Sequence, residues 1–263
     1  MKYAIVDCDK AEAKPGLKGQ CPSCGSELIP RCGNIKIHHW AHKSVKMCDD
    51  WWENETQWHR DWKNHFPVEW QEVVQIAEDG EKHIADLKTS EGWVVEFQHS
   101  YLKHEERVSR DRFYGPKLIW VVDGNGTRNI KQFQKIIGTK EIASLESNEL
   151  IKRDNLLEKS NLIDAWSNLS GHVIFDFGNS EINNLWILIS CSEYWTYLLP
   201  ISKKKLIGYL KDNTEELNSI IQEYRLDIIK RQNKEAASRR RLKKEEERIF
   251  MNYKLGHSRF RKW

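Results

Sequence analysis

The segment KHIADLKTSEGWVVEFQHS, residues 82–100, alternates apolar and polar positions on either side of a short polar break. A period of two is that of a β-strand, whose successive side chains point to opposite faces. The segment therefore predicts a hairpin. Similar alternation extends over residues 68–123, broken by a charged helix at about 103–114. It ends in KLIWVVD, a near-continuous apolar run of the kind buried in a parallel sheet. Upstream, WWENETQWHRDWKNHF at 51–66 carries the helical period. Trp58 and Trp62 are four apart and share one side, while Glu55, His59 and Lys63 form an adjacent stripe. Asn54 with Gln57 three later resembles a capping box, and Pro67 stops the helix.

The order helix, three hairpin-linked strands, helix, strand implies antiparallel strands and then a crossover to a buried fourth. This is an α/β sandwich with a mixed sheet. Residues 1–20 predict a short strand, YAIV, and a Lys/Gly/Pro loop. HVIFDF, NLWILIS and YWTYLLP between 172 and 199 predict a β-meander, with His172 and Asp176 as ordinary strand residues. The last 50 residues read as helix, with almost no Gly or Pro.

Composition adds three constraints. The chain has 263 residues, 39% of them hydrophobic, enough for a core. No run of 18 apolar residues is present and the start, MKYAIVDCDKAEAK, lacks a secretion signal. The expected location is the cytoplasm, away from membranes, where cysteines are thiols or metal ligands. Net charge is only +3, but residues 230–263 hold 13 Lys and Arg against four Glu. That tail suits a polyanion, a partner protein or simply a solvated helix.

CPSCG at 21–25 is a Cys-x-x-Cys knuckle followed by glycine. Two thiolates so spaced can clamp one Zn2+. HHWAHKSVKMC supplies the remaining donors. Cys21, Cys24, His42 and Cys48 are the favoured set, with His39 as substitute for either later ligand. Four protein ligands leave no open position, which makes the zinc structural.

The hairpin raises a different question. If its turn is centred on Glu91, Asp86 sits opposite Glu96, where like charges are destabilising. A one-residue shift would separate them. Relief comes from a raised carboxyl pKa or from a divalent cation between them. Glu55, on the preceding helix, is a third carboxylate within reach.

Taken in order, CPSCG, HHWAHKS, WWENETQWHRDWK, HIADLKTSEGWVVEFQHSYL, ERVSRDRFY and LIWVVDG resemble the competence protein CoiA-like family, over about residues 20–124. That family belongs to the PD-(D/E)XK nuclease superfamily. The resemblance implies a restriction-endonuclease-like core at 51–150, behind a zinc-knuckle region at 1–50. A small α+β module at 151–212 and a basic helical tail at 213–263 follow. By the same resemblance Asp86 and Glu96 are the paired acids and Glu55 the extra acid. Gln98 stands where most members carry lysine. Arg110 and Tyr114 look like phosphate or active-site supports.

The implied activity is hydrolysis of DNA phosphodiesters with Mg2+ or Mn2+, in DNA processing or defence against foreign DNA. Glu55, Asp86 and Glu96 would bind the metal and Gln98 would position water. Lys63, Arg110 and His59 would meet phosphate. Residues 213–263 would take a protein partner. The alternative is a DNA-binding accessory protein with a weak or inactive site.

Overall fold

The computed structural model describes residues 1–44, 48–51, 53–138, 150–178, 185–192 and 194–259, with side chains given except at 190, 191 and 252–259. Phe260 and Trp263, the aromatic residues interleaved with the terminal basic run, lie outside the described residues.

The N-terminal part is more than a strand and a knuckle. It is a five-stranded antiparallel sheet of β1 (Tyr3–Val6), β2 (Asp9–Glu12), β3 (Gly19–Gln20), β4 (Glu27–Arg31) and β5 (His39–His42), in the order β2-β1-β3-β4-β5. Ala4, Leu28 and Trp40 fill its core and Cys21 is buried with them. β2 was invisible to pattern because DKAE is an edge strand whose one apolar residue is Ala11.

Helix α1 (Gln57–Lys63) is shorter than expected. Its N-cap is Thr56, not Asn54: Thr56 Oγ1 accepts from the His59 N–H, and the His59 ring accepts from the Thr56 N–H at 3.3 Å. A histidine therefore fills the position normally taken by Glu or Gln in a capping box. Glu55 consequently precedes the helix instead of lying on it.

Beyond α1 come β6 (Gln71–Ile76), β7 (Lys82–Lys88), β8 (Val94–Gln98), α2 (His104–Tyr114) and β9 (Leu118–Asp123). β6, β7 and β8 are antiparallel and β8 runs parallel to β9 after the α2 crossover, so the mixed sheet expected from the sequence is present. Then follow α3 (Thr127–Gly138), β10 (Ile151–Asp154), α4 (Asn161–Ala165), β11 (His172–Asp176), β12 (Leu185–Cys191), β13 (Trp195–Ile201) and α5 (Lys203–Asp212).

The meander β11-β12-β13 does not stand apart. β11 pairs in parallel with β9, giving one eight-stranded sheet in the order β10-β13-β12-β11-β9-β8-β7-β6. The strands within 151–212 thus extend the sheet of 51–150, because a buried strand such as β9 needs neighbours on both edges. Trp120 and Val122 of β9 pack with Phe133 and Ile136 of α3 in the main core.

The chain divides into two compact units, 1–217 and 218–263. The second is occupied by α6 (Thr214–Arg259), which begins in the first. Among the described residues no helix is long and apolar enough to cross a membrane.

Candidate active site and metal cluster

Strand register brings the acids together. Gln71 pairs with Leu87 and Val73 with Ala85, which sets Glu72 level with Asp86. Leu87 pairs with Val95 and Lys88 with Val94, which sets Asp86 level with Glu96. This is the register of a turn centred on Glu91, and Gly92 closes that turn at φ +82°. Three acids therefore lie in one row across three adjacent strands. The carboxylates also take up backbone donors of the row. Phe97 N donates to Asp86 Oδ2 at 3.0 Å and Asp86 N to Glu96 Oε1 at 3.4 Å.

Glu72 was not singled out in the sequence. Extending the register argument one hairpin back would have found it. It is held at φ +48°, an uncommon value for a side-chain-bearing residue. Its carboxylate accepts from Lys2 N at 2.7 Å and Tyr3 N at 2.9 Å, which fastens β1 to β6.

Two buried cations match the row. Lys63 Nζ lies 3.1 Å from Asp86 Oδ1, 3.2 Å from Glu72 Oε1 and 3.3 Å from Glu55 Oε1. Burial works against its charge, but Asp86, Glu72 and Glu55 outweigh that and hold the ammonium well above the usual lysine range. Arg110 lies 3.6 Å from Glu96 and donates to Trp51 O and Glu106. Both cations were expected to face phosphate. Each is instead buried and committed to carboxylates, since uncompensated acids in a closed row cost more than surface ones.

Glu96 remains the least compensated member. Burial first, and the Asp86 charge second, push its carboxyl up to about 8, against the pull of Arg110 and Tyr114. The Tyr114 hydroxyl bonds Glu96, and burial with that charge keeps it protonated. His59 is kept neutral chiefly by burial. Because its Nδ1 accepts from Thr56 N, its proton sits on Nε2, 3.9 Å from Glu53. Gln98 is buried, and its Nε2 donates to Glu53 and to Ser100 O at 3.1 Å. Glu53 was also missed. Its place before an irregular segment gave no periodic signal.

All these side chains, from Glu53 and Glu55 through Asp86, Glu96 and Gln98 to Arg110 and Tyr114, line one cavity of about 280 Å³. His42 and Cys48 of the N-terminal region line it too.

Those two belong to the second cluster. Ligand atoms of Cys21, Cys24, His42 and Cys48 all lie within 4.8 Å of one another. Cys21 Sγ is 3.5 Å from Cys48 Sγ, and Cys24 Sγ is 3.4 Å from His42 Nε2. A tetrahedron with zinc–sulfur bonds of about 2.3 Å sets neighbouring donors about 3.5–3.8 Å apart, so the set fits zinc. Gly25 at φ +71° turns the knuckle. The donors crowd one another. Burial, then the Cys21 thiol, pushes Cys48 up to about 12. Cys24, despite burial, is brought down to about 6 by bonds from Ser26 and His42. His39, the expected substitute, is outside the cluster, and its Nδ1 meets Ile37 O at 2.9 Å.

Among the described residues no other group of three His, Cys, Asp or Glu side chains comes as close. Glu55, Asp86 and Glu96 therefore do not form a compact three-carboxylate cage. Lys63 stands between Glu55 and Asp86.

Residues 9–50 match the family model for the N-terminal domain of competence protein CoiA. No curated protein and no solved structure matches the chain. The matched segment runs from β2 past β5 and contains all four cluster ligands. Over that stretch the chain is similar to the competence protein CoiA-like family.

Proposed function

We propose that the protein is a divalent-metal-dependent nuclease that hydrolyses DNA phosphodiester bonds, with a PD-(D/E)XK-type core. The observation that carries the reading is the level placement of Asp86 and Glu96 on β7 and β8, both lining the cavity that also holds Gln98. Facing carboxylates repel, and the Glu96 carboxyl is raised by burial first and by the Asp86 charge second.

Oxygen-only donors suit Mg2+ or Mn2+, which commonly use one or two carboxylates with waters and substrate phosphates. Asp86 and Glu96 would hold the ion, and Glu55 would act on it through Lys63. When bound, such an ion supplies an activated water and stabilises charge on the phosphate. Gln98 would orient that water, while Arg110 and Tyr114 would keep the Glu96 carboxyl in place. The zinc cluster would be structural. The basic run of α6, from Arg239 to Lys244, supports a role for residues 213–263 in contacts with DNA or a partner protein.

One observation favours a second reading, a DNA-binding accessory protein with an inactive site. Lys63 and Arg110 already offset much of the acidic charge. A cleavage panel decides between them: linear, circular and single-stranded DNA and RNA, each with Mg2+, Mn2+ or chelator. Metal-dependent cleavage of DNA is the expected result. Binding without cleavage under every condition would give the accessory reading.

A further inference from the structure

The two ends of the Gln98 amide are chemically opposite, since Nε2 only donates and Oε1 only accepts. The partners at its end fix which is which. Glu53 carboxylate and Ser100 carbonyl are both acceptors, and Nε2 donates to both. The flipped amide would set an oxygen against two oxygens. Gln98 Oε1 is therefore the end left for the cavity that the residue lines. Glu53 is itself held. His59 carries its proton on Nε2, 3.9 Å from Glu53 Oε2, and the Arg110 charge acts on Glu53 as well.

We propose that Glu53 is a positioning residue that locks the Gln98 amide, so that the site presents an acceptor beside Asp86 and Glu96. This rests on the nuclease reading. A lysine at position 98 would offer a donor and a charge. The locked glutamine instead accepts a hydrogen bond from the attacking water and leaves a water lone pair directed elsewhere, toward phosphorus. Glu53 thus accounts for how a glutamine can serve at this position.

The test uses full-length Glu53→Gln, Glu53→Asp, Gln98→Ala and the Glu53→Gln/Gln98→Ala pair. Glu53→Gln keeps the shape but can offer Gln98 a donor in place of an acceptor, which leaves Ser100 O as the one obligate acceptor and loosens the lock. Its kcat for DNA cleavage is expected to fall about 10- to 100-fold, the usual range for groups that orient a ligand at one remove. KM should stay within about twofold, and Glu53→Asp should recover part of the loss. In the Gln98→Ala background, Glu53→Gln should cost nothing further. Independently of activity, the Gln98 side-chain amide signals in a 15N-labelled NMR spectrum should shift in Glu53→Gln. Additive losses in the double variant, or unmoved Gln98 amide signals, overturn the proposal. If the wild type never cleaves, the nuclease reading fails and the catalytic role with it. The amide signals then still decide whether the lock exists.

Discussion

Lys63 Nζ lies 3.1 Å from Asp86 Oδ1, so the ion pair joins the C-terminal end of α1 to the middle strand of the acidic row. The same ammonium meets Glu72 and Glu55. One cation therefore keeps three carboxylates together, and this makes its removal informative.

Lys63→Met is expected to destabilise the fold by about 3–5 kcal/mol, the usual cost of leaving buried charge without its partner. Thermal unfolding measures this directly. Added Mg2+ should recover more of the Tm in the variant than in wild type, since the acids then lack an internal cation. A variant melting like wild type would show that the triple contact carries little energy.

Glu72 gives a pH signature. Burial alone would raise its carboxyl, but Lys63 and the N–H groups of Lys2 and Tyr3 bring it down to about 2. A depressed carboxyl stabilises the fold above its unfolded value of about 4.5 and loses that effect as pH falls through about 2. Between these values wild type should lose on the order of 3 kcal/mol from this group. Glu72→Gln should lack that part of the acid limb in urea titrations from pH 5 to pH 2, and be less stable at pH 7. Parallel pH profiles in the two proteins would contradict the assignment.

How much of this was legible in the sequence depends on where periodicity was intact. The β7–β8 hairpin follows an unbroken alternation, and the register that levels Asp86 with Glu96 came directly from it. The four zinc-type donors were readable because ligand spacing is short-range. What escaped depended on partners far along the chain. The cap at Thr56 uses an unusual histidine, β2 has only Ala11 as an apolar residue, and Glu53 matters only through Gln98. Asp176 read as an ordinary strand residue, yet its Oδ2 accepts from both Trp58 at 3.1 Å and Trp62 at 2.9 Å. No local pattern announces a contact made across more than 110 residues.

Asp176→Ala should therefore cost more than a typical strand substitution. It leaves two indole N–H groups without their acceptor, one on the fully buried Trp62. The expected loss is roughly 2–4 kcal/mol, read from the urea midpoint. Asp176→Asn, which keeps one acceptor oxygen, should lose less. Equal losses in the two variants would argue against the indole bonds as the cause.

The fit of Cys21, Cys24, His42 and Cys48 to zinc predicts a stoichiometry. Metal analysis of the purified protein should give one zinc per chain, and Cys24→Ser or Cys48→Ser should lower it to near zero. A strong chelator should lower the Tm of wild type and leave those variants unmoved. Zinc retained at one equivalent in Cys48→Ser would exclude the four-ligand set Cys21, Cys24, His42 and Cys48.

The central claim is that Asp86 and Glu96 hold a catalytic cation, and Glu96→Gln measures it most directly, because the change removes a carboxyl ligand while keeping shape. Single-turnover cleavage of labelled DNA with Mg2+ or Mn2+ should fall by about 10²-fold or more, the scale of a lost electrostatic contact at the reacting centre, with DNA affinity within about twofold of wild type. Cleavage at the wild-type rate in Glu96→Gln would contradict the claim.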